Sequence, residues 1–391
     1  MHVCHVINNL EVGGAETMLL KLLGRVRNRG IESSVITLIG KGVVGPKIEQ
    51  LGIRVDSLGM VRGFANVVAA YRLALRLRQR QPDIVCTWMY QADLVGGLAS
   101  RLACPRTPII WNLRTSLQDA AALGRTTRFT RWACASLSRR LPAVILCNSH
   151  AVRAVHDQLG YAASKLRVIP NGFDLDLFQP SVQHRDSVRL ELGVPLETRL
   201  IGMMARFNRD KDHAMFLQAA HLVAGRFADV QFVLCGTDVT PDNTMFAEAL
   251  RDSPYRHRFH FLGRRGDMPR LQASLDIGVL ASITWEGFPN AVGEAMSCGV
   301  PCIVTDTGGS PEVVGDCGRV VAAGDAVGLA DECSALLSLP RHKLAELGAS
   351  ARQRIQREFS LDTVTHQYID LWRELSGLPD EVDAKSIRRA A

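Results

Sequence analysis

Residues 276–309 read DIGVLASITWEGFPNAVGEAMSCGVPCIVTDTGG. DIGVLAS is a short apolar run bounded by turn residues, which reads as a buried strand, and PCIVTD reads as another. Between them NAVGEAMSCG reads as a short helix closing at Gly299, with Pro289 at or just before its first turn and Asn290 as its expected cap. Strand, helix, strand in so few residues implies a parallel crossover. The unusual feature is a pair of glutamates, Glu286 and Glu294, around a mostly apolar segment. Glu286 falls in the loop after the first strand, and Glu294 about one turn inside the helix.

The same alternation runs outward from this stretch. Upstream, RLIGMMAR, DVQFVLCG and HRFHFLG are strand-like, and KDHAMFLQAAHLVAGRF is helical. In the first half HVCHVINN, SSVITLI, DIVCTW, TPIIWN and AVILCNS read as strands. GAETMLLKLLGRVRNRG reads as a helix with Met18, Leu19, Leu22, Leu23 and Val26 on one face and Gly30 as its stop. Alternation of this kind predicts an α/β protein of doubly wound parallel sheets with helices on both faces. A turn-rich stretch, IPNGFDLDLFQPSVQHRDS, interrupts it. The expected organisation is one domain over 1–180, a second over 181–358, and a terminal helix over 359–376 returning to the first. Two such domains would face each other across a cleft, with ligands beyond the carboxyl ends of the strands.

Composition sets outer bounds. The chain has 391 residues, 47% hydrophobic and 22% charged, enough for two ordinary domains. No run of about 18 apolar residues suggests a membrane span, and MHVCHVINNLEVGG lacks the basic start and apolar core of a signal peptide. Ten scattered cysteines without a Cys-x-x-Cys read as reduced, buried thiols, so a cytoplasmic location is expected. Residues 1–180 carry 23 Lys+Arg against 11 Asp+Glu, a balance of +12, while the remainder is at −5 within the total of +7. A basic first half suggests an anionic partner.

The chemistry-bearing residues lie just after strands. Gly13 and Gly14 precede a helix start, where bare backbone and the helix dipole favour an anion, although a plain strand-to-helix turn would look the same. No Gly-x-Gly-x-x-Gly follows this strand, which argues against a dinucleotide cofactor. Arg206 and Lys211, five apart at a strand end, suit a diphosphate whose charge develops as it leaves. Glu286 and Glu294 are carboxylates able to accept from vicinal sugar hydroxyls. Gly308 and Gly309 follow a further strand and again leave the backbone open to a ligand. Taken singly, each of these also reads as a turn or a solvated charge. Asp174-x-Asp176 lies in the linker turn rather than at a strand end, so no metal site is expected there.

Together these features resemble the retaining glycosyltransferases of family 4, group 1, with the GT-B architecture. The resemblance rests on Glu286-x7-Glu294 with its Gly-Gly-x-x-Glu continuation, on VIPNGFD, on GGAE and on ARFNRDKDH, and it spans nearly the whole chain. It implies a nucleotide-diphosphate sugar as co-substrate, UDP- or GDP-linked, with no cofactor and no metal. By that analogy Arg206 and Lys211 would hold the diphosphate, and Glu294 the ribose. Glu286 and the backbone at Phe288, Pro289 and Asn290 would hold the sugar. Gly13 and Gly14 would approach the phosphates. One departure stands out: where many members carry a histidine, this chain reads PIIWNLRTSL. Asn112, Arg114 or Thr115 would supply the acceptor or sugar contact there, or the contact is absent.

In this architecture the first domain receives the acceptor, expected to be a glycan or a lipid-linked saccharide of envelope polysaccharide (lipopolysaccharide, capsule or exopolysaccharide). GRTTRFTRWACASLSRR places Arg125, Arg128, Arg131, Arg139 and Arg140 near Phe129 and Trp132, a basic amphipathic pattern suited to an anionic membrane face. An ordinary helix with its apolar side packed and its arginines solvated fits the pattern equally. Nucleic acid is not expected, because no aromatic stacking platform accompanies the arginines. The competing functional classes are a binding protein with a decayed site and an epimerase on the same fold.

Overall fold

The structure is a computed structural model that describes residues 1–60, 67–114 and 124–377. The chain divides into two units, one of Met1–Gly172 joined by the segment from Leu361 onward, the other of Phe173–Ser360.

The first unit contains β1 (His2–Ile7), β2 (Glu32–Thr37), β3 (Arg54–Ser57), β4 (Ile84–Trp88), β5 (Ile109–Leu113), β6 (Val144–Cys147) and β7 (Leu166–Val168). They form one parallel sheet in the order β3-β2-β1-β4-β5-β6-β7. Strands β4, β5 and β6 are buried along their whole length, as a sheet covered on both faces requires. The helix Gly14–Val26 buries Met18, Leu19, Leu22, Leu23 and Val26, the face expected from their spacing. The helix Leu361–Ser376 packs beside it with Val364, Tyr368, Leu371 and Trp372 inside the same core.

The second unit contains β8 (Arg199–Met204), β9 (Val230–Cys235), β10 (Phe259–Phe261), β11 (Ile277–Leu280), β12 (Cys302–Thr305) and β13 (Arg319–Val321), again all parallel, in the order β10-β9-β8-β11-β12-β13. The order reverses between β8 and β11. The loops leaving those two strands therefore diverge to opposite faces and open a crevice at their carboxyl ends.

Two boundaries differ from the sequence expectation. The division falls at 172/173 rather than at 180, and the second unit runs to Ser360 rather than 358. Aromatic packing is the reason. Phe173 is fully buried and stacks on Phe288 at 6.0 Å, and Phe359 meets Phe288 edge-on at 5.6 Å. Phe173 N also donates to Phe359 O at 2.9 Å. The two ends of the second unit are thus tied together around Phe288. The sequence also missed β3, β7 and β13, whose segments RVDS, LRV and RVV each carry an arginine and so show no continuous apolar run.

Candidate functional site

Three loops meet at the carboxyl end of the second sheet. After β8 the chain runs through Arg206, which is exposed, into a single 3-10 turn, Arg209–Lys211. Asn208 caps this turn, and Asp212, held at φ +42°, caps the following helix through Met215 N at 3.0 Å. After β11 the loop 282–289 is tied to that turn by Ile283 N donating to Asp210 O at 3.0 Å. Backbone pairing between the two loops brings Lys211 to Glu286, and Lys211 Nζ donates to Glu286 Oε1. Ser282 Oγ donates to the same oxygen at 2.6 Å. Ser282 is held in turn by Thr305 Oγ1 donating to its carbonyl at 2.6 Å. The Lys211 and Glu286 side chains keep 20% and 12% of their surface, so the pair is sheltered yet reachable.

The glycines after β12 serve this pair in a way the sequence reading did not anticipate. Gly308 lies at φ +54°, and a Cβ there would fall 2.0 Å from Glu286 O. Gly309 N donates to Glu286 O at 2.8 Å. Gly308 and Gly309 were expected to open their backbone to a ligand. Instead the bare Cα and the amide seat the Glu286 backbone, and the Gly309 N–H is already used.

The helix Asn290–Ser297 begins with Pro289 at the N-cap, not Asn290, and has no side-chain cap. Its first intrahelical bond is Gly293 N to Pro289 O at 3.3 Å, so the preceding amides belong to the positive end of the helix. Asn290, Ala291 and Glu294 are half-buried and share the face left by the buried Val292, Gly293 and Ala295. Phe288 is only 6% exposed and its ring is spent on Phe173 and Phe359, so what it offers a ligand is backbone. Gly293 is fixed by the same core, because a Cβ there would meet the Phe173 ring at 2.0 Å.

In the first unit Gly13 is the N-cap and Gly14 the first residue of Gly14–Val26. The Glu16 carboxylate folds back over this start, and a Cβ on Gly13 would meet its Oε2 at 2.3 Å. Burial pushes the Glu16 carboxyl above its ordinary range. The positive helix end thus already faces an acid of its own chain.

Asn112 and Arg114 are not placed for ligand contact. Asn112 is fully buried in β5, where Nδ2 donates to Thr87 O at 2.9 Å and Oδ1 accepts from Tyr368 OH at 2.9 Å. Arg114, 8% exposed, donates to Asn171 Oδ1 and Tyr368 OH and lies 5.3 Å from the Trp88 ring centre. Both pin the terminal helix to the first sheet, a role invisible in sequence because Tyr368 lies about 250 residues away. Thr115 lies outside the described residues. In the linker, Asp174 Oδ1 accepts from the amides of Asp176 and Leu177 at 3.1 and 3.2 Å, so it caps a turn. Ser282 and Thr305 were missed; their position, two residues beyond β11 and at the last residue of β12, is the signal that could have found them.

The comparisons with known proteins agree with this geometry. The family described as Glycosyltransferase Family 4 matches residues 12–177, and that described as Glycosyl transferases group 1 matches residues 198–339. The chain belongs to the group 1 glycosyltransferases of family 4. A putative glycosyltransferase, EpsF, of Bacillus subtilis (strain 168) is 27% identical over 315 residues, spanning 78% of this chain and 79% of that protein. The UDP-Gal:alpha-D-GlcNAc-diphosphoundecaprenol alpha-1,3-galactosyltransferase of Escherichia coli is 26% identical over 257 residues, 65% of each chain. Among solved structures, Anabaena Alr3699/HepE in complex with UDP-glucose superposes with a TM-score of 0.81 at 23% identity, covering 96% of this chain and all of the other. The fold of this glycosyltransferase is GT-B.

Proposed function

We propose that this glycosyltransferase moves a sugar, with retention of anomeric configuration, from a UDP- or GDP-linked donor to a glycan or lipid-linked acceptor of envelope polysaccharide. The observation that carries the reading is the Lys211–Glu286 pair at the switch point of the second sheet, a few residues before the N-terminus of Asn290–Ser297.

The chemistry follows from what these groups can do. A departing nucleoside diphosphate gains negative charge in the transition state. Lys211, with Arg206 at the same strand end, supplies positive charge where it grows, and the amides opening Asn290–Ser297 add a positive dipole. These groups do the neutralising work, so no metal is required. Glu286, relieved of Lys211 when the diphosphate takes that ammonium, accepts hydrogen bonds from sugar hydroxyls, with Ser282 keeping its orientation. Glu294, four residues past Asn290 on the same helix face, accepts from the ribose.

UDP is favoured as the base carrier because the Escherichia coli relative is named for UDP-Gal and the Anabaena protein was solved with UDP-glucose. The lipid-linked acceptor draws on the same relative, whose name specifies a diphosphoundecaprenol substrate. The helix Arg125–Leu137 supports work at an anionic membrane, on the cytoplasmic face. Its buried side is Thr130, Ala133, Cys134 and Ala135, while Phe129 and Trp132 stand 63% and 64% exposed beside exposed Arg125 and Arg128. The aromatic side chains therefore do not pack inward as an ordinary amphipathic helix would have them. Their exposure also removes the stated ground against nucleic acid. The two rings, however, lean on each other at 37° and 5.8 Å, which suits a wedge among headgroups better than a stack for bases. Among the described residues no helix is long and apolar enough to cross a membrane.

The deciding experiment incubates purified protein with UDP-, GDP- and ADP-sugars, with and without an undecaprenyl-diphosphate-linked saccharide and with EDTA throughout. Transfer or slow donor hydrolysis, lost in Glu286→Ala, supports the reading, with anomeric configuration read by proton NMR. Absence of both turnover and binding for every donor would sink it.

A further inference from the structure

The opposite end of the second sheet carries a second cluster of charge. Arg199 opens β8, Asp276 immediately precedes β11, and Pro301 immediately precedes β12. They line a pocket of about 560 Å³ together with Arg185, Arg341 and Leu344. Strands of four to six residues at ~3.3 Å per residue put this pocket roughly 20 Å from the Lys211–Glu286 pair.

The guanidiniums here outnumber their partners. Asp276 is spent: its Oδ2 accepts from Arg189 Nη2 at 2.7 Å and from Leu200 N at 2.8 Å, and its Oδ1 lies 3.7 Å from Arg185. Arg185 donates to Leu196 O at 2.8 Å, and Arg341 donates to Glu197 O. Arg199 is the exception. It is only 9% exposed, its Nη1 is buried without a partner, and its guanidinium makes no hydrogen bond or ion pair among the described residues. A buried, unpaired guanidinium is costly unless an anion answers it. Arg341 is also the first residue of the long helix Arg341–Glu358, which has Pro340 at its N-cap and no side-chain cap. The open, positive end of that helix faces the same region. Leu196, Leu275 and Leu344 give the pocket an apolar wall that a bare inorganic ion would not need.

We infer that this pocket is a second anion site, which takes the phosphate group of a small organic phosphate between Arg199, Arg185 and Arg341, with the carbon portion against the leucines. It is distinct from the nucleotide-sugar site and does not depend on the proposed reaction. Ligand binding there answers the Arg199 charge, so occupancy raises the stability of the second unit by mass action.

The test is made in a Lys211→Met background, so that phosphate binding at the donor site is weakened. Melting temperature and calorimetric binding are followed for the full chain against phosphate, pyrophosphate and ribose 5-phosphate at constant ionic strength, with chloride as control. The expected result is a saturable rise in melting temperature with ribose 5-phosphate and a weaker one with phosphate. Adding Arg199→Met or Arg341→Ala should weaken binding by about tenfold or more, the loss expected for one charge-assisted hydrogen bond. Arg199→Met should melt no lower than its parent without anion, because it removes an unanswered buried charge. Arg341 is exposed, so its variant decides the matter even if Arg199→Met folds poorly. Equal binding in the parent and the Arg341→Ala variant, or no saturable binding of any of the three anions, would overturn the inference. Stronger binding of phosphate than of ribose 5-phosphate would overturn the organic-phosphate assignment.

Discussion

Lys211 Nζ and Ser282 Oγ donate to the same oxygen of Glu286, so the strongest acceptor at the switch point is held from two sides, by a cation and a neutral hydroxyl. The pair spans 75 residues of sequence and two strand-end loops. Were a diphosphate to take the Lys211 ammonium, Ser282 would still hold the Glu286 carboxylate and Gly309 N its carbonyl.

Glu286→Ala and Lys211→Met should each lower kcat by ~10²–10³, the usual loss when a group aimed at developing charge is removed. Ser282→Ala should cost about tenfold, because it frees the carboxylate without removing it. Steady-state transfer kinetics with a UDP-sugar check the order. A Ser282→Ala loss as large as that of Glu286→Ala would mean that the serine touches substrate itself.

Gly308→Ala should disturb Glu286 without altering any charge. The added methyl meets Glu286 O, and φ +54° costs a non-glycine residue about 1 kcal/mol even in open space. Donor affinity should fall and the melting temperature should drop. Gly324→Ala, also at positive φ but with nothing within 4 Å of its Cβ, should show only the backbone cost.

Tyr368→Phe should destabilise the chain by about 1–3 kcal/mol, since Arg114 loses a buried acceptor and Asn112 Oδ1 a buried donor. The KM for acceptor should not change. A selective rise in that KM with stability intact would restore Asn112 and Arg114 as ligand contacts.

Acid should weaken the first unit through His156. Burial pushes its pKa down to about 4, against about 6.5 in an unfolded chain. Its Nδ1–H donates to Val152 O at 2.7 Å, and Nε2 accepts from Tyr90 OH at 2.8 Å, so the folded ring is neutral. The unfolded state binds the extra proton. Stability is therefore full above pH ~6.5 and falls as pH drops toward 4, by at most about 1.4 kcal/mol per pH unit. Urea unfolding from pH 7.5 to 4.5 should show this slope, and His156→Gln should flatten part of it.

Phe129→Ser with Trp132→Ser should weaken binding to vesicles containing anionic lipid, with little effect on melting temperature because both rings are exposed. Reversing Arg125 and Arg128 to Glu should abolish the salt-sensitive share of binding. Equal binding by wild type and the double serine variant would remove the wedge. Displacement from vesicles by single-stranded DNA would favour a nucleic-acid surface instead.

The alternation of apolar runs and helical faces is a local property, and so the parallel α/β class, the helix Gly14–Val26 with its buried face, and the strand-end placement of Lys211 and Glu286 could all be read from residue order. The family followed from several such motifs in sequence. Arg114, Asn112, Gly308 and Arg199 could not be read in the same way. Whether a polar residue meets ligand or protein depends on partners far along the chain. Tyr368 claims Asn112 and Arg114, Glu286 O claims the space over Gly308, and Arg189 takes Asp276, which leaves Arg199 without a counter-charge. Sequence order set which residues stand at the ends of strands, because periodicity acts over a few residues. Tertiary packing alone decided which of their polar groups are already satisfied, because burial and hydrogen bonding act between elements the chain brings together only on folding.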